Sequence, residues 1–201
     1  MRDLDQALIV IDVQNDFCPG GRLAVAGGDE IVDGINQLMA EFQTVVLTQD
    51  WHPADHASFA VNQPGAAAFS SIAMPYGAQT LWPEHCVQGT QGAEFHPKLN
   101  TIPAQLILRK GFRADVDSYS AFYENDRKTG LGLDGWLRAR GISKLTFVGL
   151  ATDFCVFYSA QDAIRLGFEV EVQKALCRAI DLNGSLAAAE EAMLSVGVAL
   201  V

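Results

Sequence analysis

Short, mostly apolar runs recur along this chain with helix-patterned stretches between them, and that alternation limits the fold more than any other feature. Ala7-Leu-Ile-Val-Ile-Asp-Val13 is apolar almost without interruption, as a strand covered on both faces must be. Thr44 to Thr48, Gln105 to Arg109, Leu145 to Leu150 and Phe168 to Val172 read as further strands, and Val198 to Val201 as a sixth. Between them the spacing predicts helices from a cap at Asp29 to about Phe42, from Leu133 to Arg140 with Gly141 after it, from Phe154 to Leu166, and from a cap at Ser185 to Val196. Alternation of this kind implies βα units. The expected fold is α/β: a three-layer, Rossmann-like α/β/α arrangement around a mainly parallel sheet of about six strands. With 201 residues and no linker or repeat, one domain spanning residues 1–201 is expected. The exception is the stretch from Asp50 to Ala104, rich in proline and poor in periodicity. A long loop in a compact domain is usually a functional one.

The net charge of −10 comes without any run of Lys or Arg, which excludes nucleic acid and anionic membrane surfaces as partners. No apolar stretch reaches membrane-spanning length. The opening Met-Arg-Asp-Leu-Asp-Gln has no signal-peptide core. Cysteines at 18, 86, 155 and 177 form no close pair, so reduced thiols and a cytoplasmic location are expected.

In open parallel sheets, sites lie beyond the carboxyl ends of the strands. Here those ends carry Asp12, Asp50, Lys110 and, just after the fourth strand, Cys155. A thiol on the first turn of a helix meets free N–H groups and the positive dipole end, which favour thiolate. A lysine beside it acts in the same direction, and Asp12 can accept and return the proton. The plain alternative is an Asp12–Lys110 ion pair beside an inert thiol. A second cluster, Asp50-Trp-His52-Pro-Ala-Asp-His56, places Asp50 and His52 on one side of an extended chain. With His85 they offer one carboxylate and two imidazoles, a set suited to zinc, iron or manganese; the alternative is a group of surface histidines. His56 is a possible fourth ligand, and His96 a weaker one. Phe17, Trp51, Trp82 and Tyr119 are aromatic candidates for walling a flat ligand. Gly130 to Gly135 matches G-x-G-x-x-G but follows a polar run rather than a strand, which removes its dinucleotide reading.

Five segments together carry a resemblance that spans nearly the whole chain: Ile11-Asp-Val-Gln-Asn-Asp-Phe-Cys-Pro-Gly-Gly21, Thr48-Gln-Asp-Trp-His-Pro53, Trp82-Pro-Glu-His-Cys86, Arg109-Lys-Gly111 and Gly149-Leu-Ala-Thr-Asp-Phe-Cys155. In order and separation they resemble the nicotinamidase branch of the isochorismatase-like cysteine hydrolases. The resemblance implies an amidohydrolase acting on nicotinamide in NAD salvage, through a triad of Asp12, Lys110 and Cys155 and a cysteine thioester. It implies one divalent metal, zinc first, on Asp50, His52 and His85, with His56 a ligand in some members only. It also implies a cis peptide at Leu150–Ala151, backbone oxyanion donors at Ala151 and Cys155, and ring contacts from Phe17, Trp82 and, by a looser match, Tyr119. The rival expectations are a hydrolase of the same fold acting on isochorismate or an N-carbamoyl amide, and a non-catalytic binding protein. A homo-oligomer is left open.

Overall fold

The computed structural model describes residues 2–201. Eight strands and four α-helices follow one another along the chain. The strands are β1 (Gln6–Ile11), β2 (Thr44–Asp50), β3 (Ser71–Met74), β4 (Gly77–Thr80), β5 (Leu106–Lys110), β6 (Lys144–Leu150), β7 (Glu169–Arg178) and β8 (Ala199–Leu200). The helices are α1 (Val32–Met39), α2 (Leu133–Arg138), α3 (Phe157–Arg165) and α4 (Ser185–Ser195). Six strands form one sheet in the order β5-β2-β1-β6-β7-β8, with every pairing parallel. β1 shows why its sequence is apolar throughout. Ala7, Ile9 and Ile11 face a core completed by α2, α3 and α4, whereas Leu8 and Val10 face a second core completed by α1. Each face removes its own side chains from water, and a polar residue inside β1 would lose solvation on either side.

The expected α/β/α layers and parallel sheet are therefore present, with local differences. β2 and β5 run on to Asp50 and Lys110 rather than stopping at Thr48 and Arg109. β7 extends to Arg178, past a register shift opposite Phe147 and Gly149. The first helix starts at Val32, not at Asp29, and no side chain caps it. Ser185 lies inside α4, whose N-cap position is Gly184 in a left-handed conformation. The region from Asp50 to Ala104 holds an antiparallel hairpin, β3–β4, whose four-residue strands are too short to show a period in sequence.

Two backbone features lie where β1 and β6 lead into the loops. Gly149 has φ +116°, and a Cβ there would stand 2.1 Å from the Ile11 carbonyl oxygen, so no side chain fits between these strands. Asp12, the residue after β1, has φ +48°. A left-handed non-glycine residue costs about 1–3 kcal/mol and marks a position that the surroundings over-determine.

Candidate active site

The carboxyl ends of β1, β2, β5 and β6 converge on one buried ammonium. Lys110 Nζ lies 2.8 Å from Asp12 Oδ2 and 3.3 Å from Cys155 Sγ, donates to the Ser118 carbonyl at 3.0 Å, and pairs with Asp50 Oδ1. Asp50 and Lys110 are register partners on neighbouring strands, so their side chains leave the sheet side by side. Lys110 and Asp12 are fully buried. Thr48 Oγ1 donates to Asp12 Oδ1 at 2.6 Å and accepts the Asp12 N–H at 3.1 Å, which turns Oδ2 toward the lysine. The structure thus brings together Asp12, Lys110 and Cys155, and joins Asp50 to them. Sequence placed Asp50 at the same sheet edge but assigned it to the metal set; its ion pair with Lys110 was not expected.

Cys155 does not stand on the first turn of an α-helix. It lies in a π-helical turn, Thr152–Val156, that follows β6 and leads into α3. The Leu150–Ala151 peptide is cis, as the resemblance implied. Burial pushes the Cys155 thiol well above its ordinary pKa; Lys110 pulls it down, but Asp12 and Asp50 push it up again. The ammonium is shared between two carboxylates, which oppose its pull on sulfur. Burial also raises Asp12, outweighing Lys110. For Asp50, Lys110 and His52 overcome the burial penalty and hold the carboxyl well below its usual range. Lys110 itself is raised well above its ordinary value: burial opposes its charge, and Asp12 and Asp50 outweigh burial.

Next to the triad, one ligand atom each from Asp50, His52 and His85 lies within 4.8 Å of the others. His52 Nδ1 donates to the Gly111 carbonyl and His85 Nδ1 to the Pro83 carbonyl, each at 2.8 Å. A carbonyl only accepts, so both Nδ1 atoms carry the proton and, in the neutral rings, both Nε2 atoms present a lone pair. Those Nε2 atoms face Asp50 Oδ2 at 3.4 and 3.7 Å. Two lone pairs and a carboxylate converging in a buried spot fit a divalent cation. His56 stands beside this group rather than in it. Its ring lies 4.3 Å from that of His52, Nδ1 meets Ser58 Oγ at 2.7 Å, and burial drops its pKa to about 4. With His52 and Asp117 it forms a second buried cluster. His96 is away from both groups, on the rim of a separate surface cavity.

One cavity joins the two groups. It is lined by Phe17, Trp82 and Tyr119 with Asp50, His52, His85, Ala151 and Cys155. Trp51 is absent from it and stacks on the Arg109 guanidinium 3.8 Å away. Phe154, Leu23, Ile180 and Asp117 line the same cavity and were not expected. Phe154 packs against Trp82 with ring centroids 4.8 Å apart, and its place beside Cys155 was the only sequence signal for it. Two other residues that sequence reasoning passed over hold the loops in place. The Gln14 amide clamps the Asp50 backbone, with Nε2 donating to its carbonyl and Oε1 accepting its N–H, each at 2.8 Å. Asp16 Oδ2 accepts the Cys86 N–H at 2.7 Å and fixes the His85 segment.

Residues 6–200 match the isochorismatase domain. The chain belongs to this family. It is 57% identical to the nicotinamidase of Acinetobacter baylyi over 96% of this chain and 90% of that one. The structure of the Acinetobacter baumannii nicotinamidase and pyrazinamidase superposes with a TM-score of 0.99 at 54% identity, covering 100% of this chain and 97% of the other. A Pyrococcus horikoshii pyrazinamidase solved in complex with zinc superposes with a TM-score of 0.80 at 35% identity, covering 98% of each chain.

Removing one partner of a buried charge cluster leaves the others uncompensated. Lys110→Met should therefore lower unfolding free energy by about 3–5 kcal/mol. Denaturant titration checks this, and a change within about 0.5 kcal/mol, as at an ordinary surface site, would contradict the clustering of charge around Nζ.

Proposed function

We infer that this chain is a nicotinamidase, hydrolysing nicotinamide to nicotinate and ammonia, in NAD salvage, within one domain spanning the chain. The observation that carries the reading is the cavity itself. A buried thiol, carboxylate and ammonium stand on one side, a two-imidazole, one-carboxylate ligand set on the other, and aromatic rings between them. A flat heteroaromatic amide has features for each of these. Its carboxamide meets the thiol, its ring nitrogen lies toward the ligand set, and its faces meet Phe17, Trp82 and Tyr119.

In the proposed reaction Asp12 takes the proton from Cys155 as Sγ bonds to the carboxamide carbon. A raised Asp12 pKa makes that acceptor stronger. The backbone N–H groups of Ala151 and Cys155 are assigned to the oxyanion. Asp12 then passes the proton to the departing nitrogen, ammonia leaves, and a nicotinoyl thioester remains. Asp12 next takes a proton from water, the resulting hydroxide attacks the thioester carbon, and the thiolate that leaves recovers the proton. Lys110 keeps the charges at Asp12 and sulfur compensated throughout. Asp50, His52 and His85 would hold a divalent cation, zinc first, which would supply a Lewis-acid anchor for the ring nitrogen. A cytoplasmic location suits four free, buried cysteines. Among the described residues no helix is long and apolar enough to cross a membrane.

Purified protein should release ammonia from nicotinamide, and Cys155→Ala should reduce release to background with an unchanged circular dichroism spectrum. Turnover retained in that variant would refute the nucleophile assignment, and an inactive wild type would refute the substrate. Zinc at about 100 times its Kd should stabilise metal-stripped protein by about 2.7 kcal/mol. The His52→Ala/His85→Ala double variant should show no such gain in thermal melts; an equal gain would move the metal elsewhere.

A further inference from the structure

The β3–β4 hairpin is exposed or half-buried along most of its length, yet Gln79 in β4 is fully buried. Its amide is used on both sides. Nε2 lies 2.9 Å from Tyr119 Oη, 2.9 Å from Asp117 Oδ2 and 2.7 Å from the Thr80 carbonyl oxygen. Oε1 accepts from Tyr76 Oη and Asn125 Nδ2, each at 3.2 Å. Gln79 does not line the reaction cavity, whereas Tyr119 and Asp117 both do. Tyr119 Oη receives a second hydrogen bond at 3.1 Å from Trp82 Nε1, and the two rings stand edge to face with centroids 6.2 Å apart. The phenol oxygen is thus held between the hairpin and the opposite aromatic wall.

We propose that Gln79 is a positioning residue for substrate: it ties the β3–β4 hairpin to Tyr119 and Asp117 and so sets the width of the slot that takes the aromatic ring. The proposal rests on the nicotinamide reading of the cavity. Aromatic walls bind a flat ring best at van der Waals separation, and a gap of about half an ångström forfeits roughly a quarter of the dispersion attraction. A buried amide with its donors and acceptor satisfied locks such a wall better than packing alone. Gln79 touches neither the thiol nor the metal ligands, so its effect falls on substrate affinity and not on the chemical step.

The test is steady-state ammonia release by zinc-loaded Gln79→Met, which keeps the side-chain length and removes both hydrogen-bonding groups. KM for nicotinamide should rise about tenfold, equivalent to about 1.4 kcal/mol, with kcat within about twofold of wild type, the signature of lost ground-state binding. Zinc-dependent stabilisation and the rate of Cys155 alkylation should match wild type. Tyr119→Phe removes the same hydrogen bond from the other side and should reproduce the KM rise if the first variant folds poorly. The double variant should raise KM by less than the product of the two single effects, because both act through one contact. An active wild type with unchanged KM in Gln79→Met, a loss confined to kcat, or multiplicative single effects would overturn the role of Gln79 alone. A wild type without nicotinamide turnover would overturn the function and this role with it.

Discussion

The buried Lys110 ammonium is the interaction on which the site depends. Asp12 after β1, Asp50 at the end of β2 and Sγ of Cys155 after β6 all lie against it. Taking three ionisable groups out of water costs several kcal/mol each unless they compensate one another. Remove the ammonium and two carboxylates face each other in a low dielectric. Its presence lets the thiol machinery and the metal-ligand carboxylate share one wall of a cavity. The parallel sheet makes the arrangement possible, because adjacent strands deliver their last side chains to the same edge and Asp50 and Lys110 are paired in register.

The sharing has a chemical consequence. A lysine beside a lone thiol would favour thiolate at rest, but this lysine is already matched by two carboxylates, and burial dominates. Thr48 fixes one oxygen of Asp12 and leaves the other to Lys110, so the base is oriented before the reaction begins. Preorganisation of this kind stores its cost in folding, visible in the left-handed backbone of Asp12 itself.

Much of this was legible in the chain. Continuous apolar runs identified the buried parallel strands, and the reactive residue closing each run marked the sheet edge. The histidine-rich loop marked the ligand set. What the chain concealed were features decided by three-dimensional placement. The strands of the β3–β4 hairpin are only four residues long and flank Pro75, too short to show a period, so Gln79 and its hold on Tyr119 were invisible. Trp51 has the right residue type for a ring contact, but Arg109 on the neighbouring strand claims its face. Asp117 carries no local signal and reaches the cavity only because the segment after β5 folds back beneath the hairpin. The carboxylate that opposes the pull of Lys110 on the thiol was also hidden, because sequence shows the lysine but not that Asp50 binds it.

In the proposed reaction Cys155 carries the acyl group. The most direct measurement is mass spectrometry of intact enzyme mixed with nicotinamide and quenched in acid within a single turnover. It should show a species heavier by one nicotinoyl group replacing a proton, mapped to the peptide containing Cys155 and absent from Cys155→Ala. Full ammonia release within that turnover with no acylated species at any quench time, or with the group on another residue, would contradict it.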